Sequence, residues 1–562
     1  MSEDQAEETT AKERSATEPQ ATEPKETAPQ EPKQRRQAKG AGKGIVTGVL
    51  SAVVILAAAG GVVSAASLLP ESSGSRALEI PQADVPAGHA LGVCPEPAKL
   101  LAGTADGTDA QFSPVSQSAK TLLNAVVLSN TAGTIPGSGI TSLGGTPMAE
   151  IAKKPTSTPS PVVGPPVLAA GVVSDRPVTT ATVTGAEAIG NEQASMAAHL
   201  NYTATDGDLR GEAATSCPQP GNDSWLLGAS TSLGRSAVLN ISNASGTPAT
   251  ANLDLFGAKG QIQAAGARGL LVPPGTTRSI NLGGLAPGEA QLAVRLRSSG
   301  GPVAATIQQS VLRGLTPGGI EFLAPGTAPS NVQVMSGVDI QDPAAVKALS
   351  AKSGFADATP ALQIAVPGAA DAVVQLRVMG TNGERPLPNG GAVTAKGGSV
   401  TTIPLDGVPA GSYTVRATSD VAFVASARVT RGLKAEDAVD FAWSPSAARL
   451  GSQHIVAVPR EGERFLSFGV PEGRATISLT PVTVDGKVRK TTTSDIAGGT
   501  TAMVKVPEKV DDVVVAGYIV SSAGDAAYGA LVLGQADRAD ISVNAIQDAA
   551  AGYEKVPVTV GY

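Results

Sequence analysis

The sequence predicts an all-β protein: tandem antiparallel β-sandwich-like modules that follow a single N-terminal transmembrane helix. Three observations predict it. The 562 residues include 65 glycines and 41 prolines but only 16 % charged and 3 % aromatic residues, a composition that suits many short strands joined by tight turns. From Trp225 onward, apolar and polar residues alternate with period 2 between Gly, Pro and Asn punctuation, which is the mark of strands with one buried face. Finally, "VAATIQQSVLRGL" (Val303–Leu315) returns 118 residues later as "VAFVASARVTRGL" (Val421–Leu433). That spacing fits a whole small β-domain and is too long for a helical solenoid.

In chain order, residues 1–43 carry 9 acidic and 8 basic residues among Thr, Pro and Gln, so they read as a disordered cytoplasmic tail without a core. Residues 44–69 run for 26 positions without a charge, long enough as a helix to cross a hydrocarbon core of about 30 Å. Lys33, Arg35, Arg36, Lys39 and Lys43 precede this run and "PESSGS" follows it, so the positive-inside bias places the N-terminus in the cytoplasm and the bulk of the chain outside. A cleaved signal peptide, with "VSAAS" as its small-residue site, and a buried core helix are the competing readings. The long leader argues against the first and the strand-like remainder against the second.

Cys94 and Cys217 both fall on the outer side, where a disulfide persists, and neither has a second Cys or a nearby His to suggest a metal. They are expected to pair. Residues 70–222 then form a β-rich N-terminal extracytoplasmic domain with Pro/Gly-rich loops such as "KKPTSTPSPVVGPP". Three sandwich modules are expected after it, at 223–320, 321–439 and 440–562, the last with a C-terminal extension. "EFLAPG" at Glu321 and "DFAWSP" at Asp440 mark the expected starts of the second and third. Arg313 and Arg431 end the repeated segment but have no counterpart in the third copy (Val532, Leu533, Gly534), which favours a turn or an inter-module contact over a ligand site.

Chemical motifs are sparse. A net charge of −7, with 40 acidic and 34 basic residues beyond the tail, excludes the concentrated basic face of a nucleic-acid binder. His89, His199 and His454 stand far apart and form no zinc pattern, and G-x-S-x-G, Walker and S-x-x-K signatures with their companions are missing. Paired carboxylates for glycan cleavage leave no trace in a sequence. "TDGDLRGE" brings together Asp206, Asp208 and Glu212, as a calcium loop does, but lacks the full ligand set and reads as an Asp-Gly turn. Trp225 and Trp443 are the candidate glycan contacts, weighed against a packing role suggested by their apolar neighbours. No catalytic, cofactor or metal residue is assigned.

The stretches "PQPGNDSWLLGAS", "AVLNISNASGTPATANLDLFGAKG" and "VPPGTTRSINL", behind a charged tail and one anchor, make the chain resemble an uncharacterised family of membrane-anchored extracytoplasmic proteins of high-GC Gram-positive bacteria. Members of that family tend to be encoded near a glycosyltransferase, so the resemblance implies a link to envelope polysaccharide assembly and no particular activity. The expected role is a non-catalytic scaffold or interaction module anchored in the cell membrane, with envelope polysaccharide or a membrane glycosyltransferase as partner and no cofactor. A carbohydrate-binding accessory subunit of an envelope glycosyltransferase and an unrecognised glycan-active enzyme are the alternatives.

Overall fold

The computed structural model describes residues 82–84, 88–101, 113–156, 168–190, 192–548 and 555–557. The expected tail and membrane helix lie outside these residues. Among the described residues no helix is long and apolar enough to cross a membrane.

The chain is all-β, with antiparallel pairing throughout its named sheets. Its unit of construction is a sandwich of two sheets, seen most regularly in the first repeat module. Its eight principal strands are Asp223–Ala229, Arg235–Asn243, Ala249–Gly257, Gly260–Ile262, Thr276–Asn281, Leu292–Gly300, Ala304–Arg313 and Thr316–Leu323, with the short Leu270–Val272 added beside the third. Counted in that order, one sheet runs first–sixth–third–fourth and the other fifth–second–seventh–eighth. The two apolar faces close over Leu226, Leu239, Leu253, Val294 and Ile307, as the alternation in the sequence requires.

The same order recurs four times rather than three. The third repeat follows it with its own two sheets, and the second does so with its sixth and seventh strands fused into the 21-residue strand Gly411–Arg431. The N-terminal domain, expected only to be β-rich, is a fourth copy, from Ala90–Cys94 to Gly211–Ser216. Cys94 and Cys217 form a buried disulfide that joins its first strand to the residue just past its eighth.

Two expected boundaries move. Glu321 lies inside the eighth strand of the first repeat, which pairs with Ala304–Arg313, and Asp440–Pro445 pairs with the C-terminal half of Gly411–Arg431. "EFLAPG" and "DFAWSP" therefore close a module instead of opening one. The sequence pattern misleads because these strands serve two cores. Each is hydrogen-bonded to its own sheet while its side chains fill the neighbouring module: Ile320 and Phe322 enter the N-terminal core, Phe441 and Trp443 the first repeat, and Ile541 and Val543 the second. Ala214 of the N-terminal module enters the core of the third repeat, which closes the cycle.

The four sandwiches thus form a ring. Their eighth strands, Gly211–Ser216, Thr316–Leu323, Asp440–Pro445 and Ile541–Ala545, pack in succession around its axis. Where the N-terminal module meets the third repeat, Val126 and Leu128 pack on Ile455 and Ile519, and the Ala170 N–H donates to the Gly486 carbonyl at 2.8 Å. Beyond it, Gln82–Asp84 pairs with Lys555–Pro557 and ties the two ends of the ring together.

Candidate functional site

Each axial strand carries or adjoins a buried acidic residue: Glu212, Glu321 and Asp440 within their strands and Asp540 one position ahead of its own. All four are between 1 % and 4 % exposed. A buried carboxylate is costly unless its oxygens are hydrogen-bonded. Asp440 meets that condition with one backbone N–H from every module: Oδ1 accepts from Ile320 (3.1 Å) and Phe441 (2.9 Å), Oδ2 from Glu212 (3.0 Å) and Ile541 (3.2 Å). Burial, followed by the charge of Asp540, pushes the Asp440 carboxyl up, and these donors pull against them. Gly319, at φ +106°, makes the approach possible, since a Cβ there would lie 2.2 Å from Asp440 Oδ1.

The other three differ. Glu321 accepts from the Ser542 hydroxyl and from the N–H groups of Phe322 and Ala214. Asp540 pairs with Arg538 at 2.8 Å. Glu212 keeps one oxygen, Oε2, without a hydrogen bond, and burial together with the Asp540 charge raises its carboxyl from 4.5 to about 7. The cluster is sealed and joined to backbone, so its role is to hold the ring. Above it, at the C-terminal ends of the axial strands, an opening of about 240 Å³ is lined by Ser216, Gln219, Ser446 and Gln547 among others.

A different site lies at the junction of the first and second repeats, a cleft of about 490 Å³. Arg313 closes the seventh strand of the first repeat and Arg235 opens its second, close by in the same sheet. Across the junction, the connection between the second repeat's first two strands carries the helix Pro343–Ser350, capped by Asp342, and then Gly354 and Asp357. Arg235 reaches Asp357 Oδ2 at 2.6 Å, and Arg313 reaches Asp357 Oδ1 at 3.1 Å and the Gly354 carbonyl at 2.9 Å. Burial pushes the Asp357 carboxyl up, but the two guanidinium charges outweigh it and hold the group below its ordinary range. Arg313 is thus an inter-module contact, as its missing counterpart in the third copy suggests, whereas Arg431 pairs with Asp339 of its own module.

Arg428, on the second repeat's seventh strand, is the third guanidinium. It sits 5.7 Å above the Trp443 ring, a cation–π distance, and donates to the Thr359 carbonyl, while its buried Nε has no partner. The lining therefore holds three guanidinium groups against one carboxylate. Around them stand Gln291, Gln363 and Thr402, with Gln363 Oε1 accepting from the Gly228 N–H at 2.7 Å.

The candidate glycan contacts divide. Trp443 lies in the cleft wall, 6 % exposed, against Gly228, where a Cβ would come within 2.6 Å of the ring. Trp225 is buried between the first two repeats, stacked on Phe256 at 5.6 Å and capped by Arg295, so its ring is closed to a glycan. In "TDGDLRGE", Asp206 accepts from the Ser116 hydroxyl and from the Gln117 and Ser118 N–H groups, which lower its carboxyl, while Glu212 faces the axis. Sequence reasoning overlooked Arg235, Asp357 and Arg428. One signal was present, the Arg shared by the "LRGL" and "TRGL" endings, but the partner Asp357 sits in a connection that neither the first nor the third repeat has.

The family model described as a family of unknown function, DUF5719, matches residues 172–507, more than half of the chain and both walls of the cleft. No curated protein matches the chain.

Proposed function

We propose, for a chain that belongs to DUF5719, a family of unknown function, that it is a non-catalytic binding scaffold of the cell envelope. The apolar segment 44–69 would anchor it with the ring outside the membrane, and its ligand or partner docks at the cleft between the first two repeats. The observation that carries this reading is Arg428, a half-buried guanidinium with an unpartnered Nε, beside two further arginines that share a single carboxylate. Guanidinium groups of this kind need an acceptor, and a bound one supplies it. The disulfide supports an oxidising compartment. A second reading, an accessory subunit that presents glycan to an envelope glycosyltransferase, is favoured by the amide and hydroxyl side chains of Gln291, Gln363 and Thr402 in the same walls.

Crosslinked co-purification of the anchored protein from intact cells tests the proposal, with the same anchor fused to an unrelated outer domain as control. Recovery of envelope polymer or of a membrane glycosyltransferase that is lost in Arg428→Met is the expected result. The same recovery with the control domain overturns it.

A further inference from the structure

We propose that the junction cleft binds a phosphate monoester carried on a hydroxylated body such as a sugar. The inference rests on the cleft being the ligand site and goes on to name the ligand's chemistry. Three guanidinium groups face one carboxylate there, so two positive charges are left uncompensated. A phosphate monoester with its second proton lost is a dianion and cancels both, whereas a single carboxylate leaves one exposed to a partly enclosed, low-dielectric space. Asp440, whose carboxyl also acts on Arg313, does not line the cleft and accepts from four backbone N–H groups.

The donors are arranged for this use. Arg313 spends Nε on the Gly354 carbonyl and its terminal nitrogens on the Gly318 carbonyl and Asp357, and Arg235 is divided between Asp357 and backbone carbonyls. They fix the junction and supply its charge. Arg428 donates one bond, from a terminal nitrogen to the Thr359 carbonyl; its Nε is sealed and without a partner, and the rest of its fork is left for a ligand. A planar guanidinium held over an indole ring is preorganised for phosphate oxygens, because little side-chain entropy remains to be lost. The whole cleft, about 490 Å³, is larger than a phosphate alone requires; the Thr402 hydroxyl donates to Gln291 Oε1 and Gln363 Oε1 accepts from Gly228, which leaves the amide N–H groups of the two glutamines for ligand hydroxyls.

Isothermal titration of the full chain with glucose 6-phosphate, inorganic phosphate, glucose and glucuronate tests the proposal. The ester should bind one per chain, at least about tenfold more tightly than any of the other three. Its affinity relative to glucuronate should rise about tenfold between pH 5 and pH 7, as the phosphate loses its second proton near pH 6. The cleft's own groups do not produce that rise: the arginines stay charged, and Asp357 is held below its ordinary range. Arg428→Met, which keeps the apolar stem over Trp443, should weaken the ester about ten- to a hundredfold. If that variant does not fold, the wild-type pH profile decides alone. Equal binding of inorganic phosphate, tighter binding of glucuronate or no binding of the ester each overturn the proposal. A cell-derived partner lost with Arg428→Met, together with no binding of the ester, would sink the phosphate assignment and leave the docking role of the cleft standing.

Discussion

Asp440 holds the position on which the ring depends, because its two oxygens accept one N–H from each of four modules. Asp440→Ala would leave those buried donors unsatisfied at once, and each such group costs about 1–3 kcal/mol. We expect at least about 3 kcal/mol of lost stability, read as a lower urea midpoint; an unchanged midpoint would show that the axis contributes nothing. Glu212 behaves in the opposite sense. Its carboxyl is raised from 4.5 to about 7 by burial and by Asp540, so the folded form keeps a proton that the unfolded form releases. Below about pH 4.5 both states are protonated and no cost arises. Between 4.5 and 7 stability falls as pH rises, by about 3 kcal/mol at about 1.4 kcal/mol per unit. Glu212→Gln, neutral at every pH, should gain that amount on the wild type between pH 4.5 and pH 8 in urea unfolding. A difference that is flat in pH would contradict it.

Among the elements, the strands themselves were legible and their allegiance was not. Ala249–Gly257 and Arg235–Asn243 are legible in the alternation that runs from Trp225 onward, because Leu253 and Leu239 face a core while intervening residues face away. The eighth strands break this rule. In Asp440–Pro445 every residue is buried, since one side meets its own sheet and the other meets the first repeat, so no alternation marks the strand as an ending. The same double burial hid the cleft, whose residues come from two modules and from a connection with no counterpart in the first and third repeats. The Cys94–Cys217 pairing was readable because the chain has two cysteines and neither has a neighbouring Cys or His to hold a metal, and it closes a loop of 123 positions between the two sheets of the N-terminal module. Replacing both cysteines by alanine should cost up to about 5 kcal/mol by the loop-closure relation, checked by urea unfolding with and without reductant. Reductant should lower the wild-type midpoint and leave the double variant unmoved.

At the scale of the whole molecule, repetition yields a closed object instead of an extended one. Each sandwich lends its last strand's side chains to the module before it, and the N-terminal module lends Ala214 to the third repeat, so no core is complete alone. Such a ring keeps the junction between the first two repeats fixed, which is what a preorganised ligand cleft requires. Closure also brings together segments that a linear array of four sandwiches would hold far apart. Ala169 and Lys487 face each other across an antiparallel bridge at the seam between the N-terminal module and the third repeat. The most direct measurement is therefore disulfide formation in the double variant Ala169→Cys/Lys487→Cys, mapped by mass spectrometry on monomeric protein under mild oxidation. The closed ring predicts a near-complete intramolecular 169–487 link beside the native 94–217 bond. Free thiols at both positions, or links only between molecules, would contradict it.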